Sequence, residues 1–450
     1  MNKKQITSPV KQVLIIAYLF PPTGGGGVQR TLKFVKYLPH FNWLPIVLTV
    51  REPFDYYFDP SLEKDIPSNV TVYRTLSIEP MKWIRKLLKQ LSTFRGNHPA
   101  QQKSSFSPRS LKPRWLVWIK TMLFIPDNEI FWLPFAVFKG YQILRREKVE
   151  VIFSTASPFT DHLIALVLSS LTGIPWVADF RDFWVDRANF PNSKWRRFID
   201  RKLEKWVLTK ASHVITTTSL IANRLKEIYP HQHYSVITNG FDEEDFQMVN
   251  THPPEGVFRI TYTGIFNKEQ NPAKIFQAFQ NFINKTGATP EKIRLRLVGQ
   301  LDNPGEFENL NFLKQLMIDD YVEIIPYLPH EEVLKEMSSA TVLLLLIGEY
   351  PYNEGVMTGK IFEYLRAKRP ILAVIPPKGV AAEVIRETNA GMVVDTSCIN
   401  EITKGLLTLY ELYLQGNLEN QFNRIHIERY ERKNLTAELS KIFEQLSENA

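Results

Sequence analysis

Short apolar runs alternate with longer amphipathic stretches along most of this chain, the pattern left by strands and helices in parallel α/β units. The first run, 12–20, leads through four glycines into a segment from Val28 to Leu38 whose Leu32, Val35 and Leu38 share one helical face. A strand at 45–50 follows. Further on, the periodicity predicts helices near 134–146, 160–171 and 194–209. Strands are predicted at 150–155, 175–179 and 213–217, and a last one runs into Ser235–Gly240. A second series starts afresh at about 257. Its strands fall at 258–263, 293–298, 321–325, 341–347, 370–375 and 391–394, and its helices at 272–285, 330–337, 359–368 and 380–389. Pro253-Pro254-Glu255-Gly256 separates the two series and places a linker at 248–257. Residues 399–447 read as helical with a break near Gly416. The expected fold class is therefore α/β, with two Rossmann-like parallel sheets in tandem, domains 1–250 and 251–450.

Length agrees with that division, since 450 residues exceed the roughly 250–300 that one hydrophobic core can organise. The single cysteine, Cys398, cannot form an internal disulfide, which points to a reducing compartment and a cytoplasmic protein. The apolar run at 13–20 ends in Pro21-Pro22-Thr23 and glycines, not in a small-residue cleavage site, so it reads as a strand rather than a signal peptide. No stretch approaches the roughly 18 apolar residues of a membrane span. The expectation is a soluble or peripheral protein.

The net charge of +8 is unevenly placed. Between Pro80 and Lys120 stand ten Lys/Arg and no acid, interleaved with Trp83, Leu87, Leu88, Trp115 and Trp118. Basic residues among Trp and Leu suit an anionic membrane surface, the inner face of the cell membrane for a cytoplasmic protein. A solvated insertion has the same composition. Nucleic acid is not expected, because no helix-turn-helix, zinc or aromatic-platform signature accompanies the charge.

Candidate chemistry gathers at two places. Gly24, Gly25, Gly26 and Gly27 join a strand to a helix, so backbone N–H groups and a helix N-terminus meet at the carboxyl end of a parallel strand. That geometry suits a diphosphate, although a flexible turn has the same sequence. The motif is neither G-x-G-x-x-G nor a P-loop, and Val50 is followed by Arg51 rather than an acid, which disfavours nicotinamide dinucleotides. In the second series Glu363 falls in the first turns of a helix that precedes a buried strand. A carboxylate there can accept both hydroxyls of a ribose. Lys360, at the N-terminus of the same helix, can stabilise a departing diphosphate. A surface Glu–Lys pair is the alternative for both.

Taken together, these residues resemble the retaining glycosyltransferases with the two-domain GT-B fold, family 4 in particular. The likeness rests on Pro21-Pro22 with Gly24–Gly27, on Gly173 to Trp184, on Val236 to Asp242, on Tyr262-Thr263-Gly264, on Leu297-Val298-Gly299 and on Lys360 to Leu372. It implies two domains facing across a cleft, a C-terminal helix packing back on the first domain, and synthesis of cell-envelope polysaccharide or glycolipid. It also implies transfer of a sugar from a nucleoside diphosphate to a carbohydrate or lipid-linked hydroxyl acceptor, with retention. Carried over, Gly24–Gly27 and Gly264 face the donor, Glu363 binds the ribose, and Tyr327 and Leu328 pack on the base. The family's first glutamate is out of register: Gly355 stands eight positions before Glu363, and Glu354 is one residue too early. The family's arginine and lysine after the Tyr-x-Gly strand are also missing, and Lys268 and Lys360 are their substitutes.

Asp179, Arg181 and Asp182 end a strand of the first domain, either as acceptor contacts or as an ion network fixing a loop. His162, at the start of helix 160–171, either meets substrate or is a satisfied core histidine. With no D-x-D and no His/Cys cluster, neither a metal nor a tightly bound cofactor is expected. A sugar-nucleotide epimerase on the same fold, or a non-catalytic subunit, remains as an alternative reading.

Overall fold

The computed structural model describes residues 10–449 apart from 54–55, 57, 79, 81–123, 188–189, 192, 248, 268–269 and 303–307. The basic stretch at 80–120 thus lies almost entirely outside the described residues. Two compact units emerge, one of residues 1–217, 222–236 and 436–450, the other of 218–221 and 237–435.

In the first unit, β1 (Lys11–Ile16), β2 (Trp43–Val50), β3 (Thr71–Thr75), β4 (Val149–Ala156), β5 (Trp176–Phe180), β6 (His213–Thr216) and β7 (Tyr234–Val236) form one sheet. Its order is β3-β2-β1-β4-β5-β6-β7, and every pairing is parallel. Helices α1 (Gly26–Tyr37), α2 (Leu133–Arg146), α3 (Thr160–Thr172), α4 (Lys194–Lys210) and α5 (Ser219–Ile228) make the crossovers. The centre of the sheet is buried on both faces, as Val13 to Ile16 show, because parallel sheets are covered by helices on both sides.

The second sheet takes β8 (Phe258–Ile265), β9 (Ile293–Gln300), β10 (Val322–Ile325), β11 (Val342–Leu346), β12 (Ile371–Val374) and β13 (Gly391–Val394) in the parallel order β10-β9-β8-β11-β12-β13. Between and after them run α6 (Ala273–Thr286), α7 (Asn309–Gln315), α8 (His330–Ser338), α9 (Lys360–Ala367), α10 (Val380–Glu387), α11 (Ile399–Leu414) and α12 (Leu418–Gln421), and α13 (Arg432–Glu448) closes the chain. Along β11 the side chains alternate between two cores: Val342, Leu344 and Leu346 join one, Leu343 and Leu345 the other. That alternation is the period-2 geometry of a strand covered on both faces.

The last part of α13 belongs with the first sheet. There Glu444 accepts a hydrogen bond from Lys11 at 2.6 Å and the ring of Phe443 meets Trp43 edge-on. Three elements were not predicted. β3 is an edge strand without a fully buried residue, α7 is only seven residues long, and α5 runs over Ser219–Ile228 between β6 and β7. The break near Gly416 is wider than expected, since α13 resumes only at Arg432.

Candidate functional site

In each sheet the strand order reverses direction once, between β1 and β4 and between β8 and β11. Connections leave such a point toward opposite faces, which opens a crevice at the carboxyl ends of the strands. Gly24–Gly27 follow β1 and Gly264 lies at the end of β8, while Lys360 and Glu363 stand on α9 after β11.

In the second unit, α9 buries Ile361, Phe362, Tyr364 and Leu365 against the sheet. Positions 360 and 363, three apart, are left on the other face. The helix is tied down by Tyr364, whose hydroxyl accepts the Thr263 N–H at 3.1 Å, lies 3.1 Å from Thr263 Oγ1 and donates to the Leu344 carbonyl at 3.4 Å. This fixes where Lys360 can go. Its Nζ lies 3.3 Å from the Tyr262 hydroxyl and 4.5 Å from the centre of that ring. Gly264 makes room for it: φ there is +140°, and a Cβ would fall 2.0 Å from Lys360 Nζ.

Burial drives the Lys360 amine down to about 8, with Glu363 pulling the other way. Among the described residues no carboxylate lies within ion-pair distance of it, and a cation at a helix N-terminus also opposes the helix dipole. The helix starts at Gly359 without a side-chain cap, and the buried Thr358 hydroxyl beside it has no hydrogen-bond partner among the described residues. A lysine, a hydroxyl and a helix N-terminus together make a site suited to an anion. Glu363, one turn on, is partly exposed and bonded to His330 Nε2 at 2.9 Å. Tyr327 and Leu328 stand on the loop just before His330, the first exposed and the second half-buried. Glu354 is exposed on the turn Asn353–Gly355, and its carboxylate makes no hydrogen bond among the described residues. Lys268 lies outside the described residues.

In the first unit the glycine loop opens α1. Gly25 holds φ +99° as its N-cap, and neither Gly25 nor Gly26 has an atom within 4 Å of where a Cβ would stand. Gly24 is buried. Arg181 holds the loop in place: its guanidinium donates to the carbonyls of Gly27, Ala156 (2.5 Å) and Ser157 (2.6 Å), joining the start of α1 to the end of β4.

Two expectations are corrected here. Asp179 is not exposed to an acceptor: it is fully buried, with Arg30 gripping both its oxygens at 2.8 and 2.9 Å and Thr155 donating at 2.8 Å. Its hydrogen-bonding partners are thus Arg30 and Thr155, with the charge of Arg181 nearby. His162 is a core histidine, with Nδ1 2.7 Å from Ser154 Oγ and a ring packed among Phe180, Phe159 and Trp176. Burial lowers it to about 3, so the ring is neutral. Asp182 is exposed.

Sequence reasoning missed Arg30, His330, Thr358 and a group beside α3. There Asp127 accepts the Phe159 and Thr160 N–H groups at 2.6 and 3.1 Å, and Glu129 bonds Tyr56 at 3.1 Å. Burial and the neighbouring Asp127 push the Glu129 carboxyl up to about 7. An Asp two residues ahead of a Glu was the only available signal. Arg30 and His330 looked like ordinary surface residues.

Against this geometry, the family model of Glycosyltransferase Family 4 matches residues 91–245, and that of Glycosyl transferases group 1 matches 243–429. The two models together span most of the chain, which has the two-sheet fold of the GT-B glycosyltransferases and is a glycosyltransferase. Among solved structures it is similar to sucrose-phosphate synthase from Thermosynechococcus elongatus, at TM-score 0.63 and 13% identity over 98% of this chain and 100% of that one. It is also similar to HepE of Anabaena in complex with UDP and glucose, at 0.61 and 13% over 97% and 100%. A third is S. aureus TarM with Fondaparinux, alpha-GlcNAc-glycerol and UDP, at 0.60 and 11% over 96% and 99%. Identity this low speaks for the fold. No curated protein matches the sequence.

Proposed function

We propose that the protein transfers a sugar from a nucleoside-diphosphate sugar to a hydroxyl acceptor with retention of the anomeric configuration, in the synthesis of cell-envelope polysaccharide or glycolipid at the cytoplasmic face of the membrane. The observation that carries this reading is Lys360, a half-buried cation at an uncapped helix N-terminus without a carboxylate partner among the described residues, with Glu363 one turn along the same face. In this reading the diphosphate takes the positions offered by Lys360, Thr358 and the start of α9. The ribose hydroxyls donate to Glu363, which His330 orients, while Tyr327 and Leu328 cover the base. Departure of the nucleoside diphosphate leaves negative charge on its terminal phosphate. The lysine and the helix dipole stabilise that charge without needing to reorganise.

Residues 251–450 then form the donor side and 1–250 the acceptor side. The glycine loop suits a donor diphosphate and Asp182 an acceptor in the first unit, and Lys268 and Glu354 are further donor contacts in the second. That UDP is held in the similar HepE and TarM structures supports a nucleotide donor. The test is transfer of radiolabelled sugar from UDP-, GDP-, ADP- or TDP-sugars to membrane or oligosaccharide extracts, with the Lys360→Ala protein beside it. Labelled product in which the sugar is only epimerised, with none joined to an acceptor, would refute the reading.

A further inference from the structure

We infer that the outer face of α4 is a docking surface for an anionic lipid bilayer. Of the large apolar side chains exposed on the described residues, three belong to this one helix: Trp195 (48% exposed), Phe198 (58%) and Trp206 (55%). In a protein whose cores are filled, three such rings on one helix are an unusual cost unless something covers them. At about 100° per residue, these rings and the exposed Lys202 and Lys205 fall within about 100° of arc, and Trp195 and Trp206 stand about 16 Å apart along the axis. Lys194 and Lys210 flank the stripe at the two ends.

The charge is equally one-sided. Both acids of the helix, Asp200 and Glu204, are turned inward and consumed there. Asp200 is bonded to Arg196 and to the Trp184 ring N–H at 2.8 Å, and Glu204 to Arg201 at 2.6 Å. Arg197 leans 3.7 Å from Asp186, yet among the described residues none of the four lysines has a carboxylate within ion-pair distance. The helix is therefore held to its unit by its acids and apolar residues, and shows outward only cations and aromatic rings with Thr209.

That combination selects the partner. A protein interface enriches aromatics but is depleted of lysine. Phosphate headgroups attract lysines, and the interfacial layer just below them accommodates tryptophan and phenylalanine rings. Exposed rings spaced over three turns of a rigid helix, with lysines between them, would enter that layer side-on without the helix leaving its unit. The inference uses none of the residues proposed to hold the donor, so it stands or falls independently of the proposed reaction.

The full-length protein should co-sediment with vesicles of phosphatidylglycerol and phosphatidylcholine in equal parts, and at least about tenfold more weakly with phosphatidylcholine alone. Lys202→Glu with Lys205→Glu should lower the partition coefficient by at least about fivefold per residue. Trp195→Ser with Trp206→Ser should lower it by a comparable factor and remove the blue shift of tryptophan fluorescence on binding. All four positions are exposed, so circular dichroism and Tm should match the parent. Binding of either double variant at the parental level would overturn the proposal and send any lipid affinity elsewhere. So would failure of the parent to bind anionic vesicles. A dimer in light scattering that the Trp195→Ser/Trp206→Ser protein loses would also overturn it, because the rings would then serve a protein contact.

Discussion

Lys360 sits in the second unit with its amine 3.3 Å from the Tyr262 hydroxyl. Burial beside a tyrosine hydroxyl has lowered its amine toward 8 rather than providing a counter-ion, so in the proposed reading it is held for the donor at a cost to folding. Lys360→Ala should therefore leave Tm unchanged or slightly raised while lowering transfer by about 10²–10³-fold, the usual effect of removing one such stabilising group. The pH dependence has two signs. Donor binding needs the ammonium, so nucleotide affinity, measured by titration calorimetry, should fall as pH rises through about 8. Stability should move the other way: between about 8 and the ordinary 10.5 the unfolded chain holds more protons than the native one, so the Lys360 contribution improves as pH rises. His162 gives the acid counterpart. Neutral in the core with a pKa near 3, it adds stability that is present above 6.5 and is lost as pH falls toward 3. His162→Gln should make the acid limb of a stability–pH curve shallower by about one proton.

At the scale of elements, two substitutions separate loop geometry from ligand contact. Gly264→Ala should cost on both counts: φ +140° strains any L side chain, and the new Cβ would displace the Lys360 ammonium from its place, so both stability and donor affinity should drop. Gly26→Ala is the opposite case. Nothing lies within 4 Å of its Cβ position, so urea unfolding should be within about 0.5 kcal/mol of the parent. A selective rise in KM for the sugar nucleotide would then mark the loop as a substrate surface, whereas unchanged kinetics would make it a plain turn. Tyr364→Phe tests the anchor of α9. It leaves the Thr263 N–H without its buried partner and should cost about 1–3 kcal/mol in the second unit, read as a lower urea midpoint.

For the whole molecule, two parallel sheets with separate cores mean that ligand stabilisation can be read as melting. A nucleotide at a hundred times its Kd should stabilise the unit that binds it by about 2.7 kcal/mol, several degrees in Tm for a unit of this size. Screening UDP, GDP, ADP and TDP by calorimetry should raise one transition and leave another in place if the donor site belongs to the second sheet alone. Arg30→Met should act on the first unit instead. It strands a fully buried Asp179, and losing one partner of such a pair costs about 3–5 kcal/mol.

What the sequence determined by itself was the alternation that makes two parallel sheets and the helix carrying Lys360 and Glu363. These are local properties, since the periods of 2 and 3.6 and the glycine punctuation are set by the backbone within a few residues. β3 escaped because an edge strand has no continuous apolar run to announce it. Partnership was decided only by the tertiary structure. Arg30 and Asp179 are far apart in sequence, as are His330 and Glu363, and nothing in the neighbourhood of either residue encodes the other. Whether a carboxylate is a buried pair or an exposed ligand, and whether a histidine is neutral, depends on desolvation and charge from distant segments. The same limit applies to α4, whose helical period was legible but whose outward face was known only once the chain had buried the other side.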